Sequence, residues 1–196
     1  TSETKKTLHY INEYISLNNI DIIIAHEPEN VAFGTISGFT QNKHTINVDL
    51  NVTHKNFKKE FPLALGKILA HELYHAIRNQ KNKYPSTLLE SCLDEGLSVH
   101  FEQEVFGGKP PHYAVRLNSV ELTKVLKLAR KEFASKKYIH DDWFFGENTK
   151  KIPKSAGYCI GYYLVKKILK DNLETSPSKL VAKNTKYFLS KLKKYI

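Results

Sequence analysis

Apolar side chains recur at helical spacing from Thr7 to Ile15 (Leu8, Ile11, Tyr14, Ile15), and the branched run from Asp21 to Ala25 follows. The chain therefore opens as a helix and then a strand. From Val31 to Val52 the pattern changes to alternation, in VAFGTISGFT and again in TINVDLNV, with the polar turn QNKH between them. That predicts a hairpin and a small sheet of three or more strands. Pro62 then opens a long segment in which Leu65, Ile68, Leu69, Leu73, Ala76 and Ile77 cover one wide helical face, which predicts a helix from Leu63 to Gln80. A second helix is expected from Ser86, as N-cap, to about Val105, where GGKPP breaks it. Further helices are predicted near Ser119 to Ala134, Ser155 to Asp171 and Ser178 to Tyr195, each with a capping residue and apolar periodicity.

The resulting plan is α+β: a small N-terminal sheet, antiparallel or mixed, packed on a mainly helical lobe. At 196 residues the chain suits one domain, 1–196, with the sheet in 1–60 and the helical part in 61–196. GGKPP is too short to be a domain linker.

Composition narrows the function classes. Cys92 and Cys159 are the only cysteines, enough for one bridge but for no disulfide framework, and they form no CxxC pair. The net charge of +10 is carried by lysine, with Arg78, Arg116 and Arg130 the only arginines. Arginine is the residue that forks onto phosphate and guanine, and the lysines are scattered, so a solvated surface is favoured over a nucleic-acid stripe. No apolar run is long enough to cross a bilayer. A chain without methionine that begins TSETKK suggests removal of the initiator, alone or with a leader, and so a soluble protein, exported or cytoplasmic, with export favoured.

The chemistry is concentrated in LAHELYHAIRN, Leu69 to Asn79. On a helix, residues four apart lie one turn above each other, so His71 and His75 can aim imidazole nitrogens at one metal ion. Glu72 is rotated to the side, within reach of a water on that metal without being a ligand. The alternative is a core helix with two satisfied histidines, and a third ligand discriminates between the two. The next helix, LLESCLDEGLSVHFE, offers Glu90, Asp94, Glu95, His100 and Glu102. The apolar stripe through Leu89, Cys92, Leu93 and Gly96 puts Glu95 at its flank and turns Glu90 and Asp94 toward solvent. Gly96 lets this helix approach a neighbour closely. Glu95 is the expected third ligand, with Asp94 and Glu102 as fallbacks.

HELYH followed by DEGLS resembles the gluzincin metallopeptidases, whose third zinc ligand is a glutamate on the next helix. HELYHAIR, LDEGLS and AGYCIGYYLV together resemble a bacterial family known as predicted zinc-dependent proteases, over about Thr45 to Leu169. The resemblance implies a zincin-like fold, one Zn2+ per chain on His71, His75 and Glu95, and a substrate cleft lined by an edge strand. Tyr158-Cys159-Ile160-Gly161 looks like the YxxG element of gluzincin aminopeptidases, implying Tyr158 as oxyanion donor, with His140 as the alternative. A GxMEN-type segment is missing, which argues against a dedicated aminopeptidase, and no aspartate one turn after Glu95 presents itself to orient a histidine. The expected function is hydrolysis of peptide or protein substrates by a zinc-activated water, with Glu72 as general base, more endopeptidase than exopeptidase. The competing reading is a catalytically weak or inactive zinc-binding regulatory protein. Glu72 argues against that, since a structural zinc prefers a closed four-ligand shell and needs no adjacent base.

Overall fold

The computed structural model describes residues 2–31, 34–147 and 150–196. Helix α1 (Ser2–Asn12) leads into β1 (Asp21–His26), and β2 (Ile36–Asn42) and β3 (Thr45–Leu50) form the expected hairpin. The sheet is mixed, in the order β1-β3-β2, with β1 parallel and β2 antiparallel to the central β3. Ile46 and Val48 of β3 are fully buried against the helices, while their alternate neighbours Asn47 and Asp49 lie on the other face, as the two-residue period of a strand requires. The first strand of the hairpin starts at Ile36 rather than Val31; Ala32 and Phe33, within the expected span, lie outside the described residues.

Helix α2 (Phe57–Lys81) begins five residues before Pro62, which lies inside it rather than at its start. The turns after β3 already carry the chain into helical geometry, through the hydrogen bonds of Lys59 and Glu60 N–H to the Asn56 carbonyl. Helix α3 (Leu88–Phe106) is capped by Thr87 rather than Ser86. The reason is reciprocal: Thr87 accepts from the Glu90 N–H while Glu90 accepts from the backbone of Thr87, a capping box that also draws in the Ser86 N–H and hydroxyl. Glu90 is thus occupied in capping the start of the helix.

After Gly107 come a 3-10 helix (His112–Val115), α4 (Ser119–Arg130), α5 (His140–Phe144) and α6 (Ala156–Asp171). The single C-terminal helix expected from Ser178 to Tyr195 is two: α7 (Pro177–Leu180) and α8 (Thr185–Leu192). Asn184 breaks it by capping α8, its side chain accepting from the Tyr187 N–H. The core lies where α2, α3 and α6 meet, with Leu65, Leu69, Leu97, Ile160 and Leu164 fully buried. At about 25 cal/mol per Å² of apolar surface removed from water, each such leucine contributes on the order of 2 kcal/mol. No helix among the described residues is long and apolar enough to cross a membrane.

His100 of α3 is held in this core as a neutral ring. Its Nε2 donates to the Tyr162 carbonyl at 3.0 Å and its ring stacks on that of Tyr162 at 4.3 Å. Burial lowers its pKa to about 4 from an ordinary 6.5. The unfolded chain therefore binds the proton first, and the stability His100 contributes is complete above pH 6.5 and lost as pH falls toward 4. Between pH 7 and pH 5 this amounts to about 2 kcal/mol. Urea unfolding of wild type and His100→Gln at the two pH values should show that extra acid sensitivity in the wild type alone; equal losses in both would remove His100 as its source.

Candidate metal centre

Helix α2 stacks His71 and His75 one turn apart, both buried, with their Nε2 atoms 3.0 Å from each other. Helix α3 crosses beside them and brings Glu95 Oε2 to 3.2 Å from His71 Nε2 and 3.7 Å from His75 Nε2. The other nitrogen of each ring is held by α3 as well: His71 Nδ1 lies 2.6 Å from Glu102 Oε1, and His75 Nδ1 lies 2.7 Å from Asp94 Oδ2. Each carboxylate takes an Nδ1–H and so leaves the Nε2 lone pair free, which is the tautomer a metal needs.

The three converging atoms suit zinc. Tetrahedral bonds of about 2.0 to 2.1 Å put ligand atoms about 3.3 Å apart, and the observed separations of 3.0, 3.2 and 3.7 Å bracket that edge. The described residues contain one group of histidine, cysteine and acidic side chains with this spacing, and it is His71, His75 and Glu95. Electrostatics agree. Burial alone would lower the His71 pKa, yet its bonds to Glu102 and Glu95 push it up to about 10. His75 is likewise raised well above 6.5 against burial, by Asp94 and Glu95. Burial raises the Glu95 pKa, but the adjoining imidazoles outweigh it and hold the carboxyl well below its usual range. The cluster draws positive charge to the point where the three atoms meet, and a divalent cation supplies it without protons.

Asp94 and Glu102, the alternatives to Glu95, lie behind the two rings at their Nδ1 atoms and outside the group of converging atoms. Asp94 is buried rather than turned to solvent. An aspartate does meet a histidine ring, one residue before Glu95 instead of one turn after. Ser98 Oγ, one turn after Asp94, donates to the Asp94 backbone carbonyl at 3.0 Å and lies 3.3 Å from His75 Nδ1.

Glu72 stands outside the three-atom cluster, as expected of a residue rotated one position along the helix. It is buried, with Thr40 Oγ1 of β2 2.7 Å from its Oε2. β2 lies so close that a Cβ on Gly38 would come within 2.7 Å of Glu72 Cγ. The edge strand and the glutamate therefore share one wall.

The opposite wall comes from α6. A Cβ on Gly96 would stand 2.3 Å from the Gly161 carbonyl oxygen, and one on Gly161 would stand 1.8 Å from that of Cys92. The two helices cross in backbone contact, so the close approach Gly96 permits is to α6 rather than to the histidine helix. Tyr158, one turn before Gly161, is carried to the site by this crossing. Burial, then the fields of Glu95 and Glu72, raise its hydroxyl pKa well above the ordinary value, keeping it a proton donor at neutral pH. Its hydroxyl makes no hydrogen bond among the described residues. His140 instead stacks on Phe144 at 4.4 Å and lies 3.5 Å from Asp141, and Tyr162 faces His100. Tyr113, in the 3-10 helix, escaped the sequence reading. Its ring packs on Tyr158 at 4.7 Å, its carbonyl accepts from the Cys159 thiol, and after burial its pKa is raised by Glu102 and Glu95. PPHY carries no periodicity that could have flagged it. Cys92 and Cys159 are both free.

A family model described as "Predicted Zn-dependent protease (DUF2268)" matches residues 3–190. No curated protein and no solved structure matches the chain.

Proposed function

The chain belongs to the family of predicted Zn-dependent proteases, and from that premise we propose that it is a zinc peptidase with a zincin-like site, binding one zinc through His71, His75 and Glu95. The observation that carries this reading is the convergence of three ligand atoms with each imidazole locked from behind by its own carboxylate. Zinc held there supplies a Lewis acid that acidifies water and polarises a substrate carbonyl.

The remaining work falls to the chain. Glu72 takes the proton from the attacking water and passes it to the leaving amine; the Thr40 hydroxyl fixes its carboxylate for that transfer. Tyr158, neutral and without a hydrogen-bond partner among the described residues, donates to the carbonyl oxygen as negative charge builds there. β2 is an edge strand, and Gly38 and Thr40 bring it against Glu72, so an extended peptide added to that edge would present its scissile bond in mid-chain. That favours endopeptidase action.

Elemental analysis of protein purified without added metal and then reconstituted should give about one zinc per chain, with His75→Ala losing most of it. Cleavage of an unfolded protein substrate should vanish on chelation and return with zinc. A chain that takes up no zinc, or that cleaves equally well without it, would overturn the reading.

A further inference from the structure

Arg78 follows His75 by three residues on α2 and is buried with it. Its Nε lies 3.1 Å from Asp94 Oδ1, while Asp94 Oδ2 holds His75 Nδ1 at 2.7 Å. The Arg78 contact is an ion pair rather than an aligned hydrogen bond, and Asp94 Oδ1 has no hydrogen-bond partner among the described residues. From the other end of the guanidinium, Nη1 donates to the carbonyl of Lys183 at 2.7 Å and to that of Val181 at 3.2 Å, and the group sits 5.1 Å over the Phe188 ring. One side chain thus spans from the C-terminal α7–α8 segment to the carboxylate behind a ligand histidine. Glu102, behind the other histidine, forms no ion pair with an arginine or lysine among the described residues.

We infer that Arg78 is a positioning residue for the metal centre: it fixes the Asp94 carboxylate, and through it the His75 ring, and so ties docking of the α7–α8 segment to metal affinity. A carboxylate bonded only to an imidazole can pivot about that bond. A guanidinium anchored to two backbone carbonyls removes the freedom, because its planar fork has one orientation once those bonds are made. Lysine cannot do both tasks, having a single charged centre on a flexible stem. Groups that orient metal ligands typically account for 10- to 100-fold in metal affinity.

This inference rests on the reading of the site as a zinc centre, and the test separates the two. Zinc dissociation constants are measured by competition with a chromophoric chelator for wild type, Arg78→Gln, Arg78→Lys, Asp94→Asn and the double variant Arg78→Gln/Asp94→Asn, with thermal unfolding followed in parallel. Arg78→Gln should weaken zinc about 10-fold or more, and Arg78→Lys, which keeps the charge and is the variant better able to fold, should fall between it and wild type. The double variant should bind no more weakly than Asp94→Asn alone, because Arg78 acts through that carboxylate. Additive losses in the double variant, or wild-type affinity in Arg78→Lys and Arg78→Gln, would overturn the positioning role while leaving the zinc centre standing. Failure of the wild type to bind zinc would overturn both.

Discussion

Glu72→Gln should fold and carry a full complement of zinc, yet lose peptide hydrolysis by about 10²- to 10⁴-fold, the usual contribution of a positioned general base. Glutamine preserves the shape against Gly38 and still accepts from the Thr40 hydroxyl, so the wall shared by β2 and α2 survives. Because Glu72 is not one of the three converging ligands, metal content should not change. What disappears is the capacity to accept a proton from water. The measurement is kcat/KM on an unfolded protein substrate beside zinc per chain. Undiminished turnover removes Glu72 from the chemistry, and zinc lost along with activity makes it a structural element instead.

Gly161→Ala should cost at least about 3 kcal/mol of stability, although alanine is the better helix former by up to about 1 kcal/mol. The new methyl carbon would sit 1.8 Å from the Cys92 carbonyl oxygen and 3.1 Å from the Gly96 nitrogen. Both are backbone atoms, so no rotamer change relieves the overlap and α3 must part from α6. Urea unfolding checks the size of the loss. Tyr158→Phe, one turn away, should behave in the opposite way: unfolding unchanged, kcat lowered about 10²-fold by loss of an oxyanion donor. On the proposed mechanism the two ends of Tyr158-Cys159-Ile160-Gly161 would do different jobs, the glycine making the crossing and the tyrosine using it. A Gly161→Ala protein as stable as wild type would mean that the helices do not meet there.

The parts legible in the sequence were those set by local periodicity. Helical spacing gave α3 and α6 to within two residues and α2 apart from its first turns, and the four-residue step from His71 to His75 placed two of the three converging atoms. The convergence of Glu95 on them was legible as well, because a residue at the flank of an apolar stripe on the next helix has little choice of direction. Asp94 was misread for a related reason. Periodicity treats a charged side chain off the stripe as solvated, whereas the histidine ring and Arg78 satisfy it in the interior, and neither partner is visible along α3 itself. The break between α7 and α8 was missed because the apolar spacing runs through Asn184, while the capping bond and the carbonyls taken up by Arg78 are tertiary or turn features. Tyr113 lies on a single 3-10 turn whose place depends on packing against α6, and no pattern of its own announces it.

All three converging atoms and both carboxylates behind the imidazoles come from α2 and α3, between His71 and Glu102, with only a short connection separating the helices. Closing so small a loop costs little chain entropy, and the resulting contacts are local, so this hairpin is suited to form early and to capture metal as it forms. Thr40 and Tyr158, by contrast, arrive from the sheet and from α6 through contacts distant in sequence. On the proposed reading as a zinc peptidase, a partly folded chain would then hold its ion before it gains the groups needed to cut, and would be unable in that period to digest itself or its neighbours.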